Sequence, residues 1–198
     1  MVFANVGITS GRPTTVARVD ETVFEKVLEV NLLGVGRIVR ACLPLIIARK
    51  GHVLITASIY AFSNGVANAP YVMSKAAVEM FGRAQRSELA GTGATAGVLY
   101  PGWIQTPLIE AGFGGNSTAT AMLNRAFPWP YNKAVAPEIV ARAVVLVAGQ
   151  RRARIITPRW WSVLAALRGV VGPAPDLYLD KDRKFHKMVR ALEDNRTT

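Results

Sequence analysis

Short apolar runs and longer amphipathic segments alternate along this chain of 198 residues. Each short run is too brief for a helix and is mostly apolar, which is typical of a strand buried on both faces of a parallel sheet. We predict strands at residues 2–5, 52–57, 95–100 and 154–157. Between these runs, apolar residues recur at helical spacing after the helix-start residues Asp20, Pro70 and Pro137. The first helix is expected to continue to Arg49 despite Pro44, and the whole pattern predicts an α/β fold around a parallel sheet.

The chain beyond Pro158 follows a different pattern. A set of apolar residues at helical spacing is flanked by Arg159 and Arg168, an arrangement that resembles an interfacial amphipathic helix. The set is Trp160, Val163, Leu164, Leu167 and Val171. We expect this face to dock on the rest of the chain or across a dimer, and membrane contact is the alternative. A charged helix with one apolar side is predicted at 180–195, so we divide the chain into a domain at 1–158 and a basic helical extension at 159–198.

The stretch from Ser58 to Lys75, SIYAFSNGVANAPYVMSK, combines three side chains that one reaction needs. Ser58 follows the second predicted strand, so it lies at the carboxyl edge where open α/β sheets bind their ligands. Pro70 suits the first turn of a helix, and Tyr71 and Lys75 then lie one turn apart on the same face. We therefore expect a hydroxyl, a phenol and an ammonium group to converge on one cleft.

These three groups suit a carbonyl or alcohol oxidoreductase. An ammonium beside a phenol lowers the phenol pKa from about 10 towards working pH, which a general acid or base requires. The strand-end hydroxyl can hydrogen-bond the substrate oxygen while the tyrosine exchanges a proton with that oxygen. A Tyr-x-x-x-Lys pair with a serine thirteen residues before the tyrosine is expected by chance on the order of 0.006 times in such a chain. The alternative is a surface helix with an exposed tyrosine and lysine.

Together with three further motifs, this segment resembles the short-chain dehydrogenase/reductase family, and the resemblance covers nearly the whole chain before the extension. Residues 5–7, Asn-Val-Gly, resemble the end of the family's Asn-Asn-Ala-Gly motif, with departures at its first and third positions. Residues 30–34 look like the helix that carries the family's active-site asparagine, here Asn31. Residues 100–106, Tyr-Pro-Gly-Trp-Ile-Gln-Thr, look like the Pro-Gly-x-x-x-Thr loop that holds nicotinamide.

The resemblance implies an enzyme that uses NAD or NADP and gives a role to each matched residue. Tyr71 would be the acid/base, Lys75 would tune it and bind the nicotinamide ribose, and Ser58 would polarise the carbonyl. Asn31 would hold a water that relays protons to Lys75, and a structural amide is its alternative role. The other implied cofactor-binding residues are Asn5, Gly7, Pro101, Gly102, Ile104 and Thr106. A plain turn at residues 5–7 and a helix cap at Thr106 are the alternatives there.

By the same resemblance, the chain begins at what looks like the fourth strand of the family fold. The expected fold class is therefore α/β, a Rossmann-like doubly wound parallel sheet that lacks its first strands and has a helical C-terminal extension. The units expected to be missing amount to about 60–80 residues, at about 30 per βαβ unit, and they include the Gly-rich turn that binds the dinucleotide pyrophosphate. A truncated, non-catalytic interaction or scaffold subunit is the alternative function.

Two predicted loops give information about the substrate site. Tyr60 and Phe62 follow Ser58 on a loop that overhangs the substrate in this architecture, which indicates an apolar substrate, and packing against the next helix is the alternative. Residues 111–131 are rich in Gly, Asn, Pro and single aromatics without strong periodicity. That composition predicts a mobile lid over the substrate.

The composition adds a strong positive charge, with a formal net charge of +11. Residues 151–198 carry eleven basic and five acidic residues, a net of +6, so this part holds about half of the excess. Such a surface favours an anionic partner or a membrane surface for the Trp-containing extension, and solvated charge without a specific partner is the alternative. Basic residues are not interleaved with aromatics, so nucleic acid is not expected. We expect a homo-oligomer and a small-molecule carbonyl or alcohol substrate.

Other kinds of site and location are not indicated. His52 and His186 belong to no cluster of metal ligands, so no metal is expected. The lone Cys42 can form no internal disulfide. No uninterrupted apolar stretch approaches the roughly 18 residues of a membrane span, and the N-terminus does not read as a signal peptide. These features predict a cytoplasmic protein without a transmembrane helix.

Overall fold

A four-stranded parallel sheet organises the fold in the computed structural model, which describes residues 1–112, 116–171 and 173–194. Each strand pairs with the next one in the chain, so the order is β1-β2-β3-β4. The strands are β1 Val2–Ala4, β2 His52–Thr56, β3 Thr95–Pro101 and β4 Arg154–Thr157. Each of them begins at the predicted residue, and the predicted Rossmann-like α/β fold is confirmed.

Helices fill the connections between the strands. One helical run between β1 and β2 consists of α1 Glu21–Leu28, a π-helical turn Glu29–Gly34 and α2 Val35–Ala48. A short 3₁₀ turn Ile59–Ala61 and α3 Ala69–Glu88 connect β2 to β3. The connection from β3 to β4 contains α4 Pro107–Gly112, α5 Ser117–Ala126 and α6 Pro137–Ala148. After β4 come α7 Trp161–Val171, α8 Pro173–Lys181 and α9 Arg183–Asp194.

The run from α1 to α2 begins at Asp20, whose carboxylate accepts hydrogen bonds from the backbone N–H groups of Thr22 and Val23. As predicted, the run continues through Pro44. By length and mean hydropathy (1.7), residues 21–48 could cross a membrane, contrary to the expectation drawn from uninterrupted apolar stretches. The core helix of a folded domain passes the same test, and here α1 contacts α3 while α2 contacts β1 and β2. In this fold α2 packs against one face of the sheet.

Apolar side chains cover both faces of the sheet. In β2, Val53 and Ile55 face a cluster that includes Val35 and Val39 of α2. Leu54, between them, points to the opposite face and packs with residues of α6 such as Val144. Successive residues of a strand alternate between the two faces, so a strand covered on both sides must be apolar at every position. This double burial explains the continuous apolar runs in the sequence.

The C-terminal helices pack on the rest of the chain. Trp161 at the start of α7 is fully buried, and the Arg168 guanidinium lies 2.8 Å from the buried carboxylate of Glu79 on α3. The predicted apolar face of α7 is divided between the interior and the surface. Leu164 packs against a buried cluster that includes Trp103 and Trp161, while Val163 is exposed. The boundary between a domain at 1–158 and an extension at 159–198 stays a prediction.

Two predicted elements differ from the structure. The segment predicted as an irregular lid at 111–131 contains α5, which starts where the Asn116 side chain accepts a hydrogen bond from Ala119 N–H. Residues 113–115 of that segment lie outside the described part. The single helix predicted at 180–195 is interrupted at Asp182, whose carboxylate accepts hydrogen bonds from the first N–H groups of α9. A side chain that caps a helix end therefore decided both boundaries.

Candidate active site

A cavity of about 600 Å³ opens at the carboxyl ends of β1, β2 and β3. The predicted site residues that line it are Asn5, Gly7, Ser58, Tyr71, Lys75, Pro101, Gly102, Ile104 and Thr106. Asn31 is fully buried behind this wall and does not line the cavity. Ser58, Tyr71 and Lys75, which carry the hydroxyl, the phenol and the ammonium group, thus lie on one cleft.

Ser58 is held at the end of β2 by the start of the 3₁₀ turn. Its Oγ accepts a hydrogen bond from the backbone N–H of Tyr60 at 3.3 Å, and its side chain lies near enough to the Tyr71 phenol to lower the pKa of that group. Ser58 also lines the cavity, so a ligand in the cavity can reach this residue at the strand end.

The electrostatics of Tyr71 and Lys75 differ from the sequence-based expectation. Burial raises the pKa of the Tyr71 phenol to about 12, although the neighbouring Ser58 side chain lowers it. Burial also lowers the pKa of the Lys75 ammonium to about 8. The Lys75 Nζ lies 5.5 Å from the centre of the Tyr71 ring and donates a hydrogen bond to the Thr56 carbonyl at 3.1 Å. The expectation of a lowered phenol pKa was wrong for the structure described here, because burial raises the pKa of Tyr71 by more than the Ser58 side chain lowers it.

Asn31 connects two segments beside the site. It lies in the π-helical turn, where its Oδ1 accepts from Ile8 N–H at 2.8 Å and its Nδ2 donates to the Ile8 carbonyl at 2.9 Å. The same Nδ2 donates to Ser74 Oγ at 3.0 Å, which ties the loop after β1 to α3. These contacts show the structural amide that was the alternative role, and the water-holding role stays a prediction.

Thr56 is a site residue that the sequence analysis did not identify. Its Oγ1 donates a hydrogen bond to Asn5 Oδ1 at 2.7 Å, while its carbonyl accepts from Lys75. A Cβ added to Gly7 would lie 3.2 Å from Lys75 Nζ, so a larger residue at this position would crowd the ammonium group. A threonine two residues before the strand-end serine was the available signal, but it is also a common residue inside buried strands.

The loop after β3 is shaped by α7. The Thr106 carbonyl accepts hydrogen bonds from the N–H groups of Ile109 and Glu110, so Thr106 begins α4, and its hydroxyl donates to the Ile104 carbonyl at 3.2 Å. A Cβ at Gly102 would lie only 2.6 Å from Nε1 of Trp161. The Pro-Gly pair therefore lets the first residue of α7 pack directly on the loop that lines the cavity.

Aromatic rings extend from the cavity to α7. The ring of Tyr60 lies 5.4 Å from that of Trp103, which lies 5.6 Å from Phe127, and Phe127 lies 5.6 Å from Trp161. The interplanar angles range from 66° to 89°, the edge-to-face geometry that aromatic pairs prefer. Tyr60 and Trp103 line the cavity, so one wall of the site is a rigid aromatic surface supported by the C-terminal helix. Among the described residues, no group of three or more potential metal ligands is present.

Comparison with known proteins agrees with this geometry. The sequence model of the short chain dehydrogenase family matches residues 1–113. Protein MoaE of Klebsiella aerogenes is 31% identical over 134 residues, which is 65% of this chain and 52% of that protein. The 1-deoxy-11-beta-hydroxypentalenate dehydrogenase of Streptomyces exfoliatus is 35% identical over 105 residues, 50% of this chain and 38% of that enzyme. The chain thus spans about half the length of the first of these relatives and about two fifths of the second.

Solved structures share the fold. A gluconate 5-dehydrogenase from Burkholderia cenocepacia, in complex with NADP and tartrate, superposes with a TM-score of 0.69 at 20% identity, over 81% of this chain and 64% of that one. A 4-hydroxyisoleucine dehydrogenase complexed with NADH gives a TM-score of 0.64 at 22% identity, over 78% and 64% of the two chains. The match of the family model over more than half of the chain confirms the predicted family, and the protein belongs to the short chain dehydrogenases.

Proposed function

We propose that this chain carries the catalytic residues of an NAD(P)-dependent oxidoreductase that interconverts a ketone and a secondary alcohol. The observation that supports this most directly is the placement of Ser58 and Tyr71 on the same cavity wall as the buried Lys75. A phenol, a hydroxyl and an ammonium group that meet in one cleft are the groups that proton exchange at a carbonyl oxygen requires.

In reduction, the substrate carbonyl carbon gains a hydride and its oxygen gains the Tyr71 proton. Because burial raises the pKa of Tyr71, the phenol carries that proton at neutral pH and can act as the acid. Ser58 hydrogen-bonds the developing alkoxide, and Lys75, whose pKa is lowered to about 8, can return a proton to the phenolate. In alcohol oxidation the same steps run in reverse. The Tyr71 phenolate is then needed as the base that accepts the alcohol proton, so the rate of oxidation should rise with pH.

The residues around Lys75 fit the nicotinamide end of a dinucleotide. When bound, NAD(P)H supplies the hydride and NAD(P)⁺ accepts it. The Asn5 and Thr56 side chains, the close approach of Gly7 to Lys75 and the loop at Gly102 leave backbone and small groups facing the cavity. Two relatives in the structural comparison contain NADP and NADH, which supports this class of cofactor without choosing between the two. These residues around Lys75 would contact the nicotinamide and its ribose, at one end of the dinucleotide.

The partners follow from the family. We expect a small carbonyl or alcohol substrate and a homo-oligomer. The anionic partner or membrane surface that the charge of the extension suggested gains no support from the comparisons or from the contacts of the described residues. A non-catalytic scaffold role is the second candidate, and the joint placement of Ser58, Tyr71 and Lys75 disfavours it.

Fluorescence titration with NADH and NADPH, followed by a ketone-reduction assay, tests the proposal. The chain should bind at least one of the two cofactors, and Tyr71→Phe should lower kcat by about a hundredfold or more because the acid is lost. Tyr131→Phe is the matched control, since Tyr131 packs on Trp161 and does not line the cavity. No binding of either cofactor would refute activity of this chain on its own.

A further inference from the structure

Two buried polar side chains in the cavity have no hydrogen-bond partner among the described residues. Tyr60 and Asn68 are each 6% exposed, and both line the cavity. Asn68 directly precedes α3, but its side chain does not cap the helix. The hydroxyl of Tyr60 makes no hydrogen bond with the described part of the protein either. The Tyr60 hydroxyl and the Asn68 amide are not among the fully buried unpaired atoms, so both keep access to solvent from the cavity that they line and are available to a ligand.

Both side chains flank the proposed acid. The ring of Tyr60 meets that of Tyr71 edge-on with 6.1 Å between their centres, and Trp103 supports its other side. Asn68 lies one helical turn before Tyr71, at the start of the same helix. A substrate whose carbonyl oxygen is bound by Ser58 and Tyr71 would therefore present its neighbouring atoms to Tyr60 and Asn68.

The chemistry of the pair limits what it can bind. Burial, and to a smaller extent the neighbouring Tyr71, raise the pKa of Tyr60, so its hydroxyl remains a protonated donor. The Asn68 amide offers both a donor and an acceptor. Neither group is charged, no arginine is among the described lining residues, and Lys75 already donates to the Thr56 carbonyl. These groups suit a neutral oxygen and offer nothing to balance a carboxylate or a phosphate.

We propose that Tyr60 and Asn68 form a second polar subsite that binds a neutral oxygen next to the reacting carbonyl. With the aromatic wall of Tyr60 and Trp103, the subsite selects a bulky, uncharged hydroxyketone or the corresponding diol. This assignment rests on the proposed function, because it names the substrate class of the same site.

A pair of ketones that differ only in the second oxygen tests the subsite. Benzoin carries a hydroxyl beside its carbonyl, and deoxybenzoin lacks it. The unmodified chain should prefer benzoin by about tenfold or more, both in kcat/KM and in binding measured by equilibrium dialysis with cofactor present. Tyr60→Phe and Asn68→Ala should each reduce this preference about three- to tenfold, the value of one neutral hydrogen bond, while deoxybenzoin changes by less than about twofold. Tyr131→Phe is the control and should leave the preference unchanged.

The outcomes separate this inference from the proposed function. Binding that prefers benzoin and loses the preference in both variants, but without turnover, would support the subsite while refuting the oxidoreductase activity. Turnover of both ketones with equal efficiency, or a preference that survives in both variants, would overturn the subsite and leave the activity standing. Better use of the anion phenylpyruvate than of benzoin, or no binding of either ketone, would also overturn it. Thermal melting of each variant shows whether a loss reflects the site or the fold.

Discussion

Lys75→Met should stabilise the folded chain at neutral pH although it removes a residue proposed to act in catalysis. Lys75 is 2% exposed, and burial lowers the pKa of its ammonium from 10.5 to about 8. A charged group that is desolvated without a carboxylate partner costs free energy in the folded state. Methionine has a similar length and no charge, so it removes that cost.

The magnitude follows from the shift in pKa. A difference of about 2.5 pH units corresponds to about 3 kcal/mol, because each unit is about 1.4 kcal/mol. The substitution also loses the hydrogen bond from Lys75 to the Thr56 carbonyl, about 1 kcal/mol. The net expectation at pH 7 is a gain of about 2 kcal/mol in the free energy of unfolding.

The sign of the pH dependence is fixed by the direction of the shift. Below pH 8 both folded and unfolded chains carry the Lys75 proton, so the cost of burying the charge is fully present. Between pH 8 and 10.5 the folded chain releases the proton first, so the cost disappears and the unmodified chain gains stability. The advantage of Lys75→Met should therefore shrink over this range and fall to about zero near pH 10, where the remaining cost of the charge equals the lost hydrogen bond.

Urea unfolding followed by circular dichroism at several values from pH 7 to 10 measures this difference. The raised pKa values of the buried tyrosines lower stability above pH 10 in both chains, so the difference between them isolates Lys75. Lys133→Met, at an exposed position, is the control and should change stability by less than about 0.5 kcal/mol at every pH. If Lys75→Met destabilises the chain at pH 7 and the difference does not vary with pH, the desolvation argument is wrong.

Three further changes test contacts around the site. Gly7→Ala places a Cβ 3.2 Å from Lys75 Nζ and should lower kcat/KM by about tenfold with little change in the melting temperature, whereas unchanged kinetics would show that the ammonium moves freely. Gly102→Ala drives a Cβ against Trp161 and should cost about 1–3 kcal/mol in urea unfolding, and a second change, Trp161→Phe, should recover part of that loss. Arg168→Met leaves the buried Glu79 carboxylate without its closest cation and should lower the free energy of unfolding by about 2 kcal/mol. Adding Glu79→Gln should regain most of that loss. Equal stability of the single variant and the double variant would contradict the pairing.

Local patterns in the sequence were sufficient to predict the strands of the sheet and the placement of Ser58, Tyr71 and Lys75. The strands are covered on both faces, so the mostly apolar runs in the sequence marked where they lie. Ser58 at a strand end and the pair Tyr71 and Lys75 on one helical turn are positions that periodicity fixes without knowledge of the rest of the fold. The start of α1 at Asp20 depends on a side chain that caps its own helix, which is also local information.

Properties that depend on distant neighbours could not be predicted. The raised pKa of Tyr71 results from burial under segments far away in the sequence, and a spacing rule considers only the nearby lysine. Trp161 packs on Gly102, which lies about 60 positions earlier in the chain. Arg168 pairs with Glu79, which lies about 90 positions earlier. The π-helical turn that places Asn31 between Ile8 and Ser74 also has no signature in the hydrophobic pattern.

Transfer of an isotopic label measures the chemistry at Ser58, Tyr71 and Lys75 most directly. The chain is incubated with a ketone and with NADH or NADPH deuterated at C4 of the nicotinamide, and the alcohol is analysed by mass spectrometry. We predict one deuterium on the carbinol carbon with the unmodified chain and a rate at least about a hundredfold lower with Tyr71→Phe. Labelled alcohol formed at the same rate by Tyr71→Phe, or no label transfer by the unmodified chain from either cofactor, would contradict the account.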